Sequence, residues 1–410
     1  MEDKSLKPLF SIPVIVAALG YFVDIYDLLL FSIVRKPSLI ALGVPEESLF
    51  EKGELLLQWQ MAGLLVGGII WGIMGDKRGR LSVLFGSILM YSLANIANGF
   101  VDTVDQYIFL RFIAGIGLAG ELGAGVTLVS EVLPTRLRGY GTTIVAVVGL
   151  MGAVVANFVA KTFDWQIAYF IGGGLGISLL IARVSVIESG IFLKVKEQQQ
   201  NVQRGNFFQL FATKERLIKF LGCIFIGLPI WYTIGILISF SPEFAKALGI
   251  PGTILAGDSV MWSYIGLAAG DLVSGLLSQA FRSRKKIVLT FILLTLCFIL
   301  FYLYSPFVTA SGFYITCFIL GFGIGYWALF VTIAAEQFGT NLRSTVATTV
   351  PNFIRGTVVP LTWIFKYLRG NIGIIQGALF IGLGTIVIAL IALRSIDETF
   401  SRDMNFLEKD

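Results

Sequence analysis

The sequence predicts an all-α polytopic membrane protein, with twelve transmembrane helices in two pseudo-symmetric six-helix bundles around a central cavity. Three observations predict it. The 410 residues are 56% hydrophobic and only 14% charged, with a mean hydropathy of +0.83, more apolar surface than a soluble domain hides. Twelve apolar segments approach the roughly 20 residues that a bilayer requires. A pattern in the first half also returns in the second, 205 residues later.

The segments run over 10–34, 55–74, 81–101, 106–130, 140–161, 165–187, 219–241, 258–281, 286–305, 311–335, 344–366 and 371–393. The longest polar interruption, residues 188–216, contains Lys194, Lys196, Gln198 and Arg204 and divides the segments six and six. The expected organisation is therefore a first bundle over 1–187, a cytoplasmic linker over 188–216, and a second bundle with a short tail over 217–410. Lys77, Arg78, Arg80, Arg136, Arg138, Arg343 and Arg394 fall on one side of this topology, with the termini. The other side keeps few basic residues, among them Arg35, Lys52 and Lys161. That bias puts both termini in the cytoplasm. Residues 1–8 are polar and the first apolar segment carries Asp24 and Asp27, so no cleavable signal is expected.

The repeat is visible as Glu-Val-Leu-Pro-Thr-Arg-Leu-Arg over 131–138, echoed by Glu-Gln-Phe-Gly-Thr-Asn-Leu-Arg over 336–343. Parallel six-helix repeats with binding at their interface are a transporter architecture.

Composition also excludes chemistry. There is no histidine, so proton chemistry must run on carboxylates, and His-based metal sites and triads are ruled out. Cys223, Cys297 and Cys317 lie in apolar runs without ligand spacing and read as lipid- or core-facing thiols. The net charge of +5 is spread over short loops and is not a nucleic-acid footprint. No P-loop, strand-borne dinucleotide loop or nucleophile–base set is present, so neither an enzyme nor a cofactor or metal is expected. The glycines of 115–125 and 321–325 instead permit close helix contact and bending.

Ionisable residues at membrane depth are functional candidates by default. Asp24 and Asp27 lie three apart and share one helical face. Two carboxylates so close in a low dielectric do not easily both stay ionised, which suits a proton carrier. Arg111 lies about 9 Å inside its segment and Asp27 about 12 Å below Arg35, at matching depths. Arg111 is thus the natural partner of Asp24 or Asp27, whether for coupling or as a structural bridge. Glu121 reads as a second proton site, a substrate contact or an interior pairing, and Asn157 as a neutral partner. Asp271 and Arg355 both lie near the midplane. They pair with each other, or Arg355 faces the cavity and binds an anionic group. Trp59, Trp231, Tyr232, Tyr326 and Trp327 are cavity candidates, with packing or an interfacial belt as the alternative.

Residues 71–80, Trp-Gly-Ile-Met-Gly-Asp-Lys-Arg-Gly-Arg, form a charged, glycine-rich turn between two apolar runs. With Gly72, Asp76, Gly79 and Arg80 it resembles the loop signature of the major facilitator superfamily. Residues 111–117, Arg-Phe-Ile-Ala-Gly-Ile-Gly, resemble that family's helix 4 motif. The acidic-Thr stretch 397–403 resembles the tail motif of its sugar porters, near their metabolite:proton symporter and organic-ion relatives. The resemblance implies proton coupling at Arg111 with a helix 1 acid. It also implies a cytoplasmic gating network of Asp76, Arg80, Glu131, Arg138, Glu336 and Arg343. The expected function is secondary active transport of a small organic solute by alternating access in the cytoplasmic membrane. An organic anion moved with protons leads; a zwitterion, cation or sugar moved by uniport or antiport is the alternative. A non-transporting scaffold on the same fold is the competing class. Expected partners are the solute, protons and membrane lipid, without nucleic acid, for a chain acting as a monomer.

Overall fold

The structure, a computed structural model, describes residues 7–78, 80–133, 135–188, 207–304, 309–339 and 342–400. Among these the regular structure is helical throughout. In the first half, α1 (Ile12–Ala41), α2 (Leu49–Arg78) and α3 (Arg80–Asn98) are followed by α4 (Val104–Leu118), α5 (Glu121–Val132), α6 (Thr135–Thr162) and α7 (Trp165–Glu188). The second half holds α8 (Lys214–Phe225), α9 (Leu228–Tyr232), a π-helical turn (Thr233–Ile238), α10 (Ser241–Ala247), α11 (Ala256–Ala280) and α12 (Arg284–Tyr304). It continues with α13 (Ala310–Gly323), α14 (Trp327–Glu336), α15 (Arg343–Gly356), α16 (Val358–Ile372) and α17 (Ile374–Ser395).

These helices make twelve spans, because α4 with α5, α8 to α10, α13 with α14, and α15 with α16 each cross as one interrupted unit. Nine spans among the described residues are long and apolar enough to cross a membrane by themselves. The remaining three are the short α3 and the interrupted spans α4–α5 and α15–α16. Arg111 and Glu121 lie in α4–α5, and Arg355 and Lys366 in α15–α16. The α4–α5 break at Ala119–Gly120 and the α13–α14 break at Ile324–Tyr326 stand 205 residues apart, so the repeat seen in sequence is also a repeat of interruptions.

A broken helix frees backbone groups that lipid cannot satisfy, and side chains supply the partners. Asn352 Nδ2 donates to Ala119 O at 2.7 Å, and Tyr326 Oη to Ile226 O at 2.9 Å. The first of these bonds crosses between the halves, where α2 packs on α15 and α6 on α11. α1 is buried along nearly its whole length. Cys223 and Cys317 are buried and Cys297 is exposed.

Residue Gly79 and the side chains of Asp76, Arg80, Glu131 and Arg138 lie outside the described residues. Gly72 packs beneath α15, where an added Cβ would sit 3.2 Å from Thr349 Cγ2. In the second half, Glu336 lies within electrostatic reach of Arg343. Glu336 pairs with Arg284 at 2.8 Å, while Arg343 Nε donates to Ala335 O at 3.1 Å.

Candidate solute-binding and coupling site

Arg355 stands near the end of α15, 1% exposed, in a cavity lined by Tyr21, Leu150, Trp231, Tyr264 and Trp327. The cavity holds about 10 Å³, room for about one water molecule. The guanidinium lies 5.4 Å from the Trp231 ring centroid and 5.7 Å from that of Trp327, within cation–π range. Its Nη1 donates to Asn352 Oδ1 at 3.4 Å. Its Nε and Nη2, the pair of donors along one edge, make no hydrogen bond among the described residues.

The ion-pair partner of Arg355 is Asp24 of α1, in the other half, at 3.7 Å from Nη2. Of the two arrangements expected for Arg355, the structure has it facing the cavity and not paired with Asp271. That carboxylate instead accepts the Ala328 N–H at 3.0 Å, at the start of α14. The reason is topological: the Asp271 side of α11 meets the α13–α14 break, and the face of α15 that carries Arg355 turns toward α1.

Asp27, one turn along from Asp24, looks back into its own half. It lies within electrostatic reach of Arg111 but makes no direct ion pair among the described residues. Arg111 donates to Asn95 Oδ1 and covers the Tyr169 ring at 4.8 Å. Both Asp24 and Asp27 are fully buried, and neither carboxylate accepts a hydrogen bond among the described residues. Asp27 fits because Gly172 of α7 has no side chain; a Cβ there would strike Asp27 Oδ1.

Glu121 is tightly paired. Arg183 of α7 donates to both its oxygens, at 2.8 and 3.1 Å, and the Ser87 hydroxyl donates to Oε1 at 3.0 Å. The geometry corresponds to the interior-pairing alternative rather than to a carboxylate open to protons or solute. Arg183 is absent from the site expected from sequence. It stands in an apolar run as Arg111 does, so the same depth argument finds it. Asn95 and Tyr21 carry no charge and give no comparable signal.

Four further candidates do not line the cavity. Trp59 is 44% exposed and meets Phe112 edge-on at the outside of the bundle. Tyr232 Oη donates to Ala378 O at 2.6 Å, and Tyr326 is engaged by the α8–α9 break. Asn157 donates to Asp258 Oδ1 at 3.0 Å, joining a set of contacts between the halves at the Arg35 end of the molecule. There Arg35 pairs with Glu243 at 2.7 Å and Arg369 with Glu54 at 3.2 Å. Lys366 pairs with Glu51 at 2.5 Å, and Lys161 with Asp258. Every one of these pairs joins the first half to the second.

The chain is similar to a putative metabolite transport protein of Haemophilus influenzae, 28% identical over 363 residues, covering 83% of this chain and 84% of that one. It is 34% identical to the niacin transporter of Acinetobacter baylyi over 150 residues, 35% of this chain and 34% of the relative. Its fold matches the proton:xylose symporter XylE bound to 6-bromo-6-deoxy-D-glucose, with a TM-score of 0.69 and 15% identity, over 97% of this chain and 98% of that one. Residues 17–356 match the Major Facilitator Superfamily, and the chain belongs to that family.

Proposed function

We propose that this membrane transporter of metabolites moves a small organic anion, of the aromatic carboxylate class, together with protons by alternating access. The observation that carries the reading is the loose Asp24–Arg355 pair. A guanidinium at this depth needs a counter-charge, and Asp24 supplies one from 3.7 Å without a hydrogen bond. The Nε and Nη2 donors have the spacing that a carboxylate takes with two parallel bonds.

Solute carboxylate and ionised Asp24 therefore compete for one cation. Protonating Asp24 releases Arg355 to the solute, and solute bound to Arg355 favours the protonated Asp24. Proton and anion then enter the site together, which is symport. Asp27 and Arg111 supply a second carboxylate–arginine couple in the first half. The Trp231, Trp327, Tyr21 and Tyr264 rings around Arg355 suit an aromatic solute, and niacin, handled by a relative, is one.

The positive bias of the loops supports cytoplasmic termini in an inner membrane, with bundles over 1–187 and 217–410 joined by 188–216. On that orientation the charge pairs at the Arg35 end close the periplasmic side. Because the cavity between the halves lies within one chain, a monomer suffices.

The test is a thermal-shift screen of aromatic and aliphatic carboxylates on purified protein, where a ligand stabilises according to its occupancy. At least one aromatic carboxylate should raise the melting temperature of the parent. It should do so less for Arg355→Lys, whose point charge lacks the fork, and not at all for Arg355→Ala. Normal binding by a folded Arg355→Ala protein would sink the anion reading.

A further inference from the structure

Among the described residues, two of the cavities between the halves share two residues. The central one contains Arg355. The second, of about 20 Å³, is lined by Leu122, Thr142 and Val145 of the first half and by Val331 and Thr332 of the second. It lies toward the Arg78 end, the cytoplasmic one on the reading above. Tyr21 and Trp327 line both cavities. They also hold each other across the interface, Trp327 Nε1 donating to Tyr21 Oη at 3.0 Å.

Trp327 is the first residue of α14, directly after the break at Ile324–Tyr326. The opening turn of any helix has backbone N–H groups without internal acceptors. Asp271 supplies one from a different helix, accepting the Ala328 N–H at 3.0 Å, with its charge facing the positive end of the helix dipole. The approach is possible because Gly270 and Gly325 let the backbones of α11 and the break touch; a Cβ on Gly325 would lie 2.8 Å from Asp271 N. Asp271 is fully buried, its Oδ2 makes no hydrogen bond among the described residues, and it lines neither cavity.

We propose that Trp327 and Tyr21 form a gate between the central cavity and the second one, and that Asp271 is the positioning residue on which the gate hangs. When the halves part at the Arg78 end, the Tyr21–Trp327 bond opens. α14 then swings at its N-terminus, where the Asp271–Ala328 bond keeps the pivot fixed. The proposal rests on alternating access alone and needs neither the charge of the solute nor proton coupling.

The test therefore uses no solute and no gradient. A Thr332→Cys reporter in the second cavity, in a background lacking the exposed Cys297, is labelled with a membrane-impermeant maleimide from the Arg78 end. Tyr21→Phe and Trp327→Phe each remove one member of the bond. Each should speed labelling by up to about tenfold, the scale of one lost hydrogen bond, and the double variant should add nothing. Asp271→Ala should change the labelling rate at Thr332→Cys by a similar factor, and Asp271→Asn, which keeps an acceptor oxygen, should restore it. Additive effects of the two Phe variants would overturn the gate. A folded Asp271→Ala protein with unchanged labelling, or an Asp271→Asn protein as altered as Asp271→Ala, would overturn the positioning role. Should Asp271→Ala fail to insert, the Phe pair still decides the gate and Asp271→Asn the acceptor. Unchanged labelling in Asp271→Asn supports the role, and labelling altered as in Tyr21→Phe overturns it.

Discussion

Asp24 and Glu121 are both buried carboxylates facing an arginine, and they are built in opposite ways. Glu121 uses both oxygens on Arg183 at 2.8 and 3.1 Å and accepts the Ser87 hydroxyl, all inside the first half. Gly20 leaves the space for this pair, since a Cβ there would strike Arg183. Asp24, one turn along from Gly20 on α1, reaches across to Arg355 of the other half at 3.7 Å and accepts no hydrogen bond among the described residues. Breaking a tight buried pair by removing one partner costs about 3–5 kcal/mol. A loose pair spanning two bodies that must separate is cheaper to open, and a proton or another anion can replace either member. The tight pair belongs to the scaffold of a bundle, and the loose one to the moving junction.

The largest expected effect is on transport. Asp24→Asn keeps the size of the side chain and removes the proton-binding charge. Accumulation driven by a pH gradient should fall by about a hundredfold, the scale of a lost buried charge partner, while solute exchange across the membrane survives. Uptake of labelled solute into vesicles, with and without an imposed gradient, measures both. Undiminished gradient-driven accumulation would mean that Asp24 is not the coupling group and that Asp27 inherits the role.

Glu121→Ala tests the other side of the comparison. It leaves Arg183 buried without its partner and should destabilise the protein by about 3–5 kcal/mol, read as a lowered melting temperature. Glu121→Ala with Arg183→Ala should lose less than the two single changes together. If Glu121→Ala instead keeps its melting temperature and loses only coupling, Glu121 is a proton carrier after all and the tight geometry has misled.

The residues with charge inside apolar runs are legible in the sequence alone: Asp24, Asp27, Arg111, Glu121, Asp271 and Arg355 are all buried. Their partners are not. Pairing depends on how each helix is rotated about its axis and on which helix of the other half it meets, and neither follows from a period of 3.6 residues within a single span. Depth therefore matches Arg355 to Asp271, whereas its partner stands on α1. The aromatic candidates divide for the same reason. Trp231 and Trp327 face the cavity, while Trp59 faces outward, and hydropathy is blind to the difference. The breaks are half legible: glycine runs mark α4–α5 and α13–α14 as deformable, but not that Asn352 and Asp271 satisfy the freed groups.

A smaller effect is expected where the halves meet at the Arg35 end. Arg369 holds Glu54, which is 2% exposed, at 3.2 Å and lies 3.8 Å from the Phe50 ring centroid. The neighbouring Lys366–Glu51 pair is exposed on both sides. Arg369→Gln should shift the equilibrium toward separation at this end by about 1 kcal/mol, and Lys366→Gln by clearly less. Spin labels on the ends of α2 and α16 would read the change as a longer distance population. Equal shifts from both variants would mean that burial does not grade these pairs as it grades Asp24 and Glu121.

The smallest effect concerns a carboxylate outside the membrane spans, and it shows the tight arrangement without an ionic partner. Glu398 lies beyond α17 and accepts the backbone N–H groups of Arg284 at 3.0 Å and Lys285 at 3.2 Å, together with the Ser283 hydroxyl, at the start of α12. Burial pushes its carboxyl up. The Ser283 hydroxyl and the N–H groups of Phe400, Arg284 and Lys285 outweigh that and hold it below the usual glutamate range. A carboxyl lowered in the folded state contributes stability that is complete above its unfolded value of about 4.3. That contribution is lost as the pH falls through the folded value. Glu398→Gln keeps the shape and one acceptor but cannot ionise, so at neutral pH it should cost about 0.5–1 kcal/mol, as for a weakened helix cap. The melting-temperature gap between parent and variant should then close as the pH is taken from about 6 to below 4. A gap that stays constant over that range would show that the Glu398 charge does nothing for α12 and that its shape alone caps the helix.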